Sequence, residues 1–320
     1  LVPASTFGTS AARPLTGTAE AGYYDLSSDV PYAASLGLTQ RAGADEQFGI
    51  VLSASYSTRT YRSENLQGGA EWEEEGDFLI PDEYVLRDYE LERVRTGVVA
   101  NFEWRPSTDL RLHWRNLWNR FQDTEERQAA VIDYRNGDLL EQTATSGRFT
   151  EAEAERLVKY RREKQSILNS TLGGQYTFDA WTLSADLTYG EAEQDTPFDN
   201  EWSFETDDEF EARYDTSDFF WRVDGGPPFL DASGYEFNEV ARESQIVEED
   251  LRTAQFDARR DLQWGTAPGY LKFGAKFTGR EKTSDLSSDV YDGFDGTLTL
   301  DEVSRGGPDG FKDSVRPYYT

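Results

Sequence analysis

The stretch Trp181–Gly190 (WTLSADLTYG) alternates without a slip, and no other feature restricts the fold as much. Trp181, Leu183, Ala185, Leu187 and Tyr189 fall on one face, and Thr182, Ser184, Asp186, Thr188 and Gly190 on the other. Period 2 marks a strand with one apolar and one polar face. An aromatic ring stands at each end of the apolar face. Eight steps at ~3.3 Å, tilted by roughly 40°, rise about 20 Å, close to the apolar height of an outer-membrane barrel wall.

The pattern recurs along the chain. Tyr32–Thr39, Phe48–Asn65, Tyr89–Trp104, Leu110–Gln128, Ala254–Trp264 and Tyr270–Glu281 read as strands, and Leu15–Leu26 as a weaker one. Glu151–Lys164 (EAEAERLVKYRREK) fits a helix by pattern, but is read here as the polar upper part of a strand that ends at Phe178. Short turns, near Arg41–Gln47, Arg105–Asp109, Asp179–Ala180 and Gly265–Gly269, alternate with long polar connections, Leu66–Asp88, Ala129–Thr150, Glu191–Glu248 and Thr283–Thr320. Strands are apolar-faced beside the short turns and charged towards the long connections. Trp104, Phe178, Trp181, Trp264 and Tyr270 flank the short turns; Tyr56, Tyr189 and Phe277 lie about eight residues further up. Short turns on one side, long loops on the other and two aromatic girdles are the layout of a transmembrane antiparallel β-barrel. A soluble β-sandwich also alternates, but its strands are usually about 5–6 residues long with turns at both ends.

Composition supports this and excludes other classes. The net charge is -29 on 320 residues, which argues against nucleic acid as a partner. Aromatics at 14% are too many for a disordered acidic chain. There is no Cys and a single His, His113, so thiol chemistry, Cys-ligated metals and His-cluster zinc sites are excluded. No run approaches ~18 apolar residues, which excludes a transmembrane helix but not a barrel. Met is absent, so the chain is expected to be part of a longer one.

Three stretches resemble the TonB-dependent outer-membrane receptors, specifically the Xanthomonas/Caulobacter-type subfamily: Phe48–Asn65 (FGIVLSASYSTRTYRSEN), Arg87–Arg127 and Tyr176–Pro197. Within the second, an R-x-R-x-G approach strand, the turn FEWRP and the return LRNLWNRFQDTEER match the family's pattern with small departures. The resemblance implies a barrel of roughly 22 strands, plugged by an N-terminal domain, of which this chain supplies about nine. Residues 1–14 would then be the end of the plug or a linker, and 15–320 the first part of the barrel. It further implies active uptake at the cell outer membrane of a Gram-negative bacterium. The partners would be the inner-membrane TonB complex, outer-membrane lipid and lipopolysaccharide, and a small nutrient, either a carbohydrate or an iron–siderophore complex. No enzyme activity, cofactor or metal is expected. The alternatives are a passive porin-like barrel and a soluble acidic adhesin or calcium-binding module.

Two groups of residues are candidates for function. Arg111, His113 and Arg115 share the lumen-facing side of one strand and would meet a plug or an anionic ligand. The preferred reading is a row of charges paired with acidic neighbours. Trp202, Phe204, Phe219, Phe220 and Trp221 lie in the longest connection, where rings stack on sugars or siderophores, or else pack a small core of the loop's own. The acidic clusters Trp72–Asp77 and Thr206–Glu211 lack EF-hand spacing and read as solvated loop charge.

Overall fold

The computed structural model describes residues 5–7, 15–68, 71–134, 137–206, 209–293 and 295–303. Almost all of them are antiparallel β-structure. The strands are β1 (Leu15–Ala21), β2 (Tyr32–Ala42), β3 (Phe48–Gly68), β4 (Trp72–Glu75), β5 (Phe78–Pro81), β6 (Glu83–Trp104) and β7 (Leu110–Asp133). After them come β8 (Leu139–Gln142), β9 (Ser146–Phe178), β10 (Trp181–Thr206), β11 (Phe210–Asp215) and β12 (Arg222–Asp224). The last two are β13 (Tyr235–Trp264) and β14 (Ala267–Asp292). Two single-turn α-helices, α1 (Gly226–Leu230) and α2 (Leu300–Val303), and a 3-10 turn at Ala232–Gly234 complete the list. No helix among the described residues is long and apolar enough to cross a membrane.

Nine strands form one continuous antiparallel path, β1-β2-β3-β6-β7-β9-β10-β13-β14. They correspond one for one to the nine strands read from the sequence, and Glu151–Lys164 lies inside β9 as strand. The expected connections were too long. Strand β10 continues to Thr206 and β13 begins at Tyr235, so about half of Glu191–Glu248 is a paired ladder. The stretch Leu66–Asp88 holds the end of β3, the β4–β5 hairpin and the start of β6. Strands β7 and β14 run on to Asp133 and Asp292, while the tail 304–320 and most of 1–14 lie outside the described residues.

The register gives the strands a common slant. One row of direct partners runs Phe48–Trp104–Leu112–Gly174–Ala185–Phe256–Ala275. It meets β3 at its first residue but meets β14 eight residues beyond the first, Ala267. The short turns therefore step by eight residues over six strand spacings. At ~3.3 Å per residue and ~4.8 Å per spacing, the strands tilt by roughly 42° to the normal of the line joining those turns.

Above this wall sits a second, smaller sheet. The first residues of β9 pair with β8 and β11, and β11 pairs with β12. The rest of β9, from Glu153, pairs with β7. Glu151 has φ 57° and forms the corner at which the strand changes sheets, a device seen where sheets pack at an angle. Phe149, Ala152, Phe210, Ala212, Tyr214 and Val223 of the small sheet are buried against Tyr84, Leu86, Ala130, Ile132, Phe204 and Tyr235 of the large one. Tyr134, just past the end of β7, and Phe229 of α1 close this core.

Candidate functional site

The two faces of the large sheet are opposite in chemistry and in exposure. One row of direct partners reads Ile50–Phe102–Trp114–Leu172–Leu187–Ala254–Phe277. The adjacent row, on the other face, reads Val51–Asn101–Arg115–Thr171–Thr188–Thr253–Thr278. The apolar row is the exposed one: Leu172 is 58%, Leu187 60% and Phe277 72% open, against 7% for Asn101. Trp104, Phe178 and Trp264 at the lower edge, and Tyr56 and Tyr189 at the upper, are exposed on the same side, whereas Tyr270, the partner of Asp261, lies with the Arg259 guanidinium on the polar face. A water-soluble fold buries its apolar face first, and a contiguous apolar area this large marks contact with something apolar.

On the polar face lie the three residues expected to share one side of a strand. Arg111, His113 and Arg115 alternate along β7. His113 Nε2 lies 3.1 Å from Asp186 Oδ1, although these residues belong to β7 and β10, with β9 between them. Gly173 is the partner of both and makes the contact possible. A Cβ there would stand 1.9 Å from Asp186 Oδ1 and 2.8 Å from His113 Nε2. Of the three, His113 is the one with a carboxylate within ion-pair distance among the described residues. Arg111 and Arg115 make no ion pair among the described residues. Gly173→Ala is expected to part His113 from Asp186 and to press the ladder between β9 and β10, since the Cβ would also stand 2.9 Å from the Ala185 carbonyl oxygen, so the cost exceeds the ~1 kcal/mol that a partly exposed pair alone is worth. Urea unfolding of the folded protein in detergent checks this.

The segment Ser5–Phe7 lies on this same polar face, near the short turns. Ser5 Oγ donates to Glu103 at 2.7 Å, and Thr6 N to the same carboxylate at 3.2 Å. Arg41 donates to Thr6 O, and the Arg105 guanidinium lies 3.8 Å over the Phe7 ring. Gly49 makes room, since a Cβ there would meet Thr6 Oγ1 at 2.2 Å.

The five aromatics of the expected loop do not form one group. Trp202 and Phe204 belong to β10, not to a loop, and Phe204 is buried in the core of the small sheet. Trp221 packs against that core, stacked on Tyr84 at 5.8 Å and edge-on to Trp72 at 5.4 Å. Only Phe219 and Phe220 point away from it; they are 87% and 43% exposed and contact each other edge to face. Tyr84, Tyr134, Phe149 and Tyr214, which hold this region together, are not singled out by the sequence: Tyr214 lies in β11, which is too short to show a period, and the other three lie at or just past the far ends of β6, β7 and β9, outside the stretches that alternate.

Of the acidic clusters, Trp72–Asp77 forms the β4–β5 hairpin, and Glu211 is held by Arg148 at 3.2 Å and Arg213 at 2.9 Å. Residues 207–208 of the second cluster lie outside the described residues. A third, unforeseen group lies high on the polar face. Glu155 and Glu205 are direct cross-strand partners. Burial, and then Glu205, Glu201, Glu239 and Glu83, push the Glu155 carboxyl up to about 7. A carboxyl raised in the folded state keeps its proton longer there than in the unfolded chain. Stability from this group is therefore full below its unfolded value and is lost as the pH rises to about 7. Glu155→Gln is expected to flatten this loss and to stabilise the upper wall above pH 7 by ~1 kcal/mol after allowance for solvent screening. Thermal unfolding across pH 4–8 reads it.

No protein family, curated protein or solved structure matches this chain.

Proposed function

We propose that this chain forms part of the wall of an outer-membrane β-barrel of the TonB-dependent receptor type, which binds a small nutrient outside and admits it with energy from the inner membrane. The observation that carries the reading is the exposed apolar belt, continuous over seven neighbouring strands while the face behind it is polar. Lipid is the solvent that accepts such a face. The tilt of roughly 42° falls in the range of membrane barrels. Strands β1 and β14 each have one partner among the described residues, and open edges are untenable in lipid, so further strands complete the barrel. The docking of Ser5–Phe7 on the polar face beside the short turns supports an interior filled by the segment that precedes the wall. A passive barrel shares the belt but needs no plug or energy source.

The test is fractionation followed by uptake. The protein should sediment with outer membranes, require detergent for extraction and migrate faster on gels unheated than boiled. A deletion strain should lose energy-dependent uptake of one nutrient. Extraction in plain buffer would overturn the membrane reading; uptake unaffected by an uncoupler would overturn the active-transport part.

A further inference from the structure

We infer that the polar face carries a binding site for a small polyanion, bearing carboxylate or phosphate, built on Arg59, Arg93 and Arg95. The inference rests on the reading of that face as the lumen. A cavity of about 320 Å³ opens there between β2, β3 and β6, lined by these arginines together with Tyr24, Tyr32 and Ser57. That volume is at the lower end for small-molecule sites.

The charges make the case. The chain carries 61 acidic against 32 basic side chains, yet three guanidinium groups converge on this one cavity. Arg59 and Arg93 are direct cross-strand partners, an arrangement of like charges that destabilises a sheet. Arg95 follows on the same face. Arg93 is held by Asp123 at 2.6 Å. Arg59 and Arg95 have no carboxylate within ion-pair distance among the described residues, and both are exposed. Glu20 is the one acidic residue among those lining the cavity.

Aromatic rings support all three cations from one side. Arg59 lies 5.8 Å from the Tyr24 ring centre, Arg93 5.1 Å from Tyr61 and Arg95 5.1 Å from Phe121. Stacking fixes the plane of a guanidinium and leaves its N–H edge free to donate, the geometry suited to bidentate recognition of carboxylate or phosphate. Arg59 and Arg93 each stand eleven residues from the short-turn end of their strand, Arg95 nine. The site is thus at the level of the upper aromatic girdle, where a ligand coming from outside first enters the wall.

The experiment is isothermal titration of the purified full-length protein with citrate and, separately, inorganic phosphate. Saturable binding of at least one is expected, and the tighter of the two identifies the anionic group. Arg59→Gln and Arg95→Gln should each weaken it at least about tenfold, and the double variant should abolish it, since one charge-assisted hydrogen bond lost is worth that much. Added salt should weaken binding in parallel. Binding of neither anion into the millimolar range, or binding unchanged in the double variant, overturns the site. Detergent dependence and heat-modifiable migration of the same preparation keep the two claims apart. A detergent-requiring barrel without anion binding sinks the site alone. A protein extracted in plain buffer that still binds through Arg59 and Arg95 sinks the membrane reading alone.

Discussion

Leu52→Arg and Leu187→Arg are each expected to cost ~2–4 kcal/mol of folded-state stability in a bilayer, as a midplane arginine does on the lipid face of a barrel. Both leucines sit on the apolar face, 39% and 60% exposed. The exposure gives the prediction its discriminating power. In water, a charge at an exposed strand position away from any special contact changes stability by no more than about 0.5 kcal/mol. A soluble sheet would therefore tolerate both changes and become more soluble for them. In lipid the same side chains have no water to meet. Thr188→Arg is the control, one residue from Leu187 but on the opposite face, where Thr188 and Thr171 hydroxyls lie 2.9 Å apart. It should fold nearly as well as the parent protein. Folding into vesicles, followed by the gel shift between unheated and boiled samples and by urea titration, reads all three. Equal behaviour of the two leucine variants and the threonine control would remove lipid from the account.

The lower part of each strand was legible because there the environment differs between faces. Trp181–Tyr189 alternates since one side needs apolar groups and the other does not. Higher up, that difference vanishes. Glu191–Asp195 (EAEQD) and Glu243–Asp250 (ESQIVEED) have solvent on both sides and carry no period, yet their backbones continue the ladder between β10 and β13. Hydrogen-bonded pairing does not need an amphipathic pattern, so a reading by periodicity ends each strand at the girdle. Contacts set by register were equally hidden. His113 and Asp186 are 73 positions apart, and only the pairing of both with Gly173 brings them together. The same holds for Arg59 beside Arg93. The R-x-R-x-G motif was visible, but its cross-strand neighbour was not. Of the five loop aromatics, the sequence could not separate Phe204, which is core, from Phe219, which is exposed, because neither belongs to a patterned stretch.

The second large effect is expected in the small sheet and should stay there. Phe149 is fully buried, 5.3 Å from the Tyr134 ring and 6.1 Å from Tyr214, at the centre of the core between the two sheets. Phe149→Ala should cost ~3–5 kcal/mol of the stability of this unit, the lost transfer of the ring plus the cavity it leaves. The small sheet has few ladder bonds to hold it: β8 pairs with the first residues of β9, and β11 with those residues and with the three-residue β12. The large sheet keeps its ladder from Glu153 onward, with β7 on one side and β10 on the other. The gel shift between unheated and boiled samples should therefore survive, while segment 209–234 becomes open to added protease. Tyr134→Phe tests the same core with the opposite sign. Among the described residues the buried Tyr134 hydroxyl has no hydrogen-bond partner, and burial holds its ionisation well above the usual tyrosine value. A buried hydroxyl left unpaired costs ~1–3 kcal/mol, so removing it should leave the unit as stable or more so. Loss of the gel shift in Phe149→Ala would mean that the large sheet depends on the small one. Loss of stability in Tyr134→Phe would mean that the hydroxyl has a partner in the folded protein.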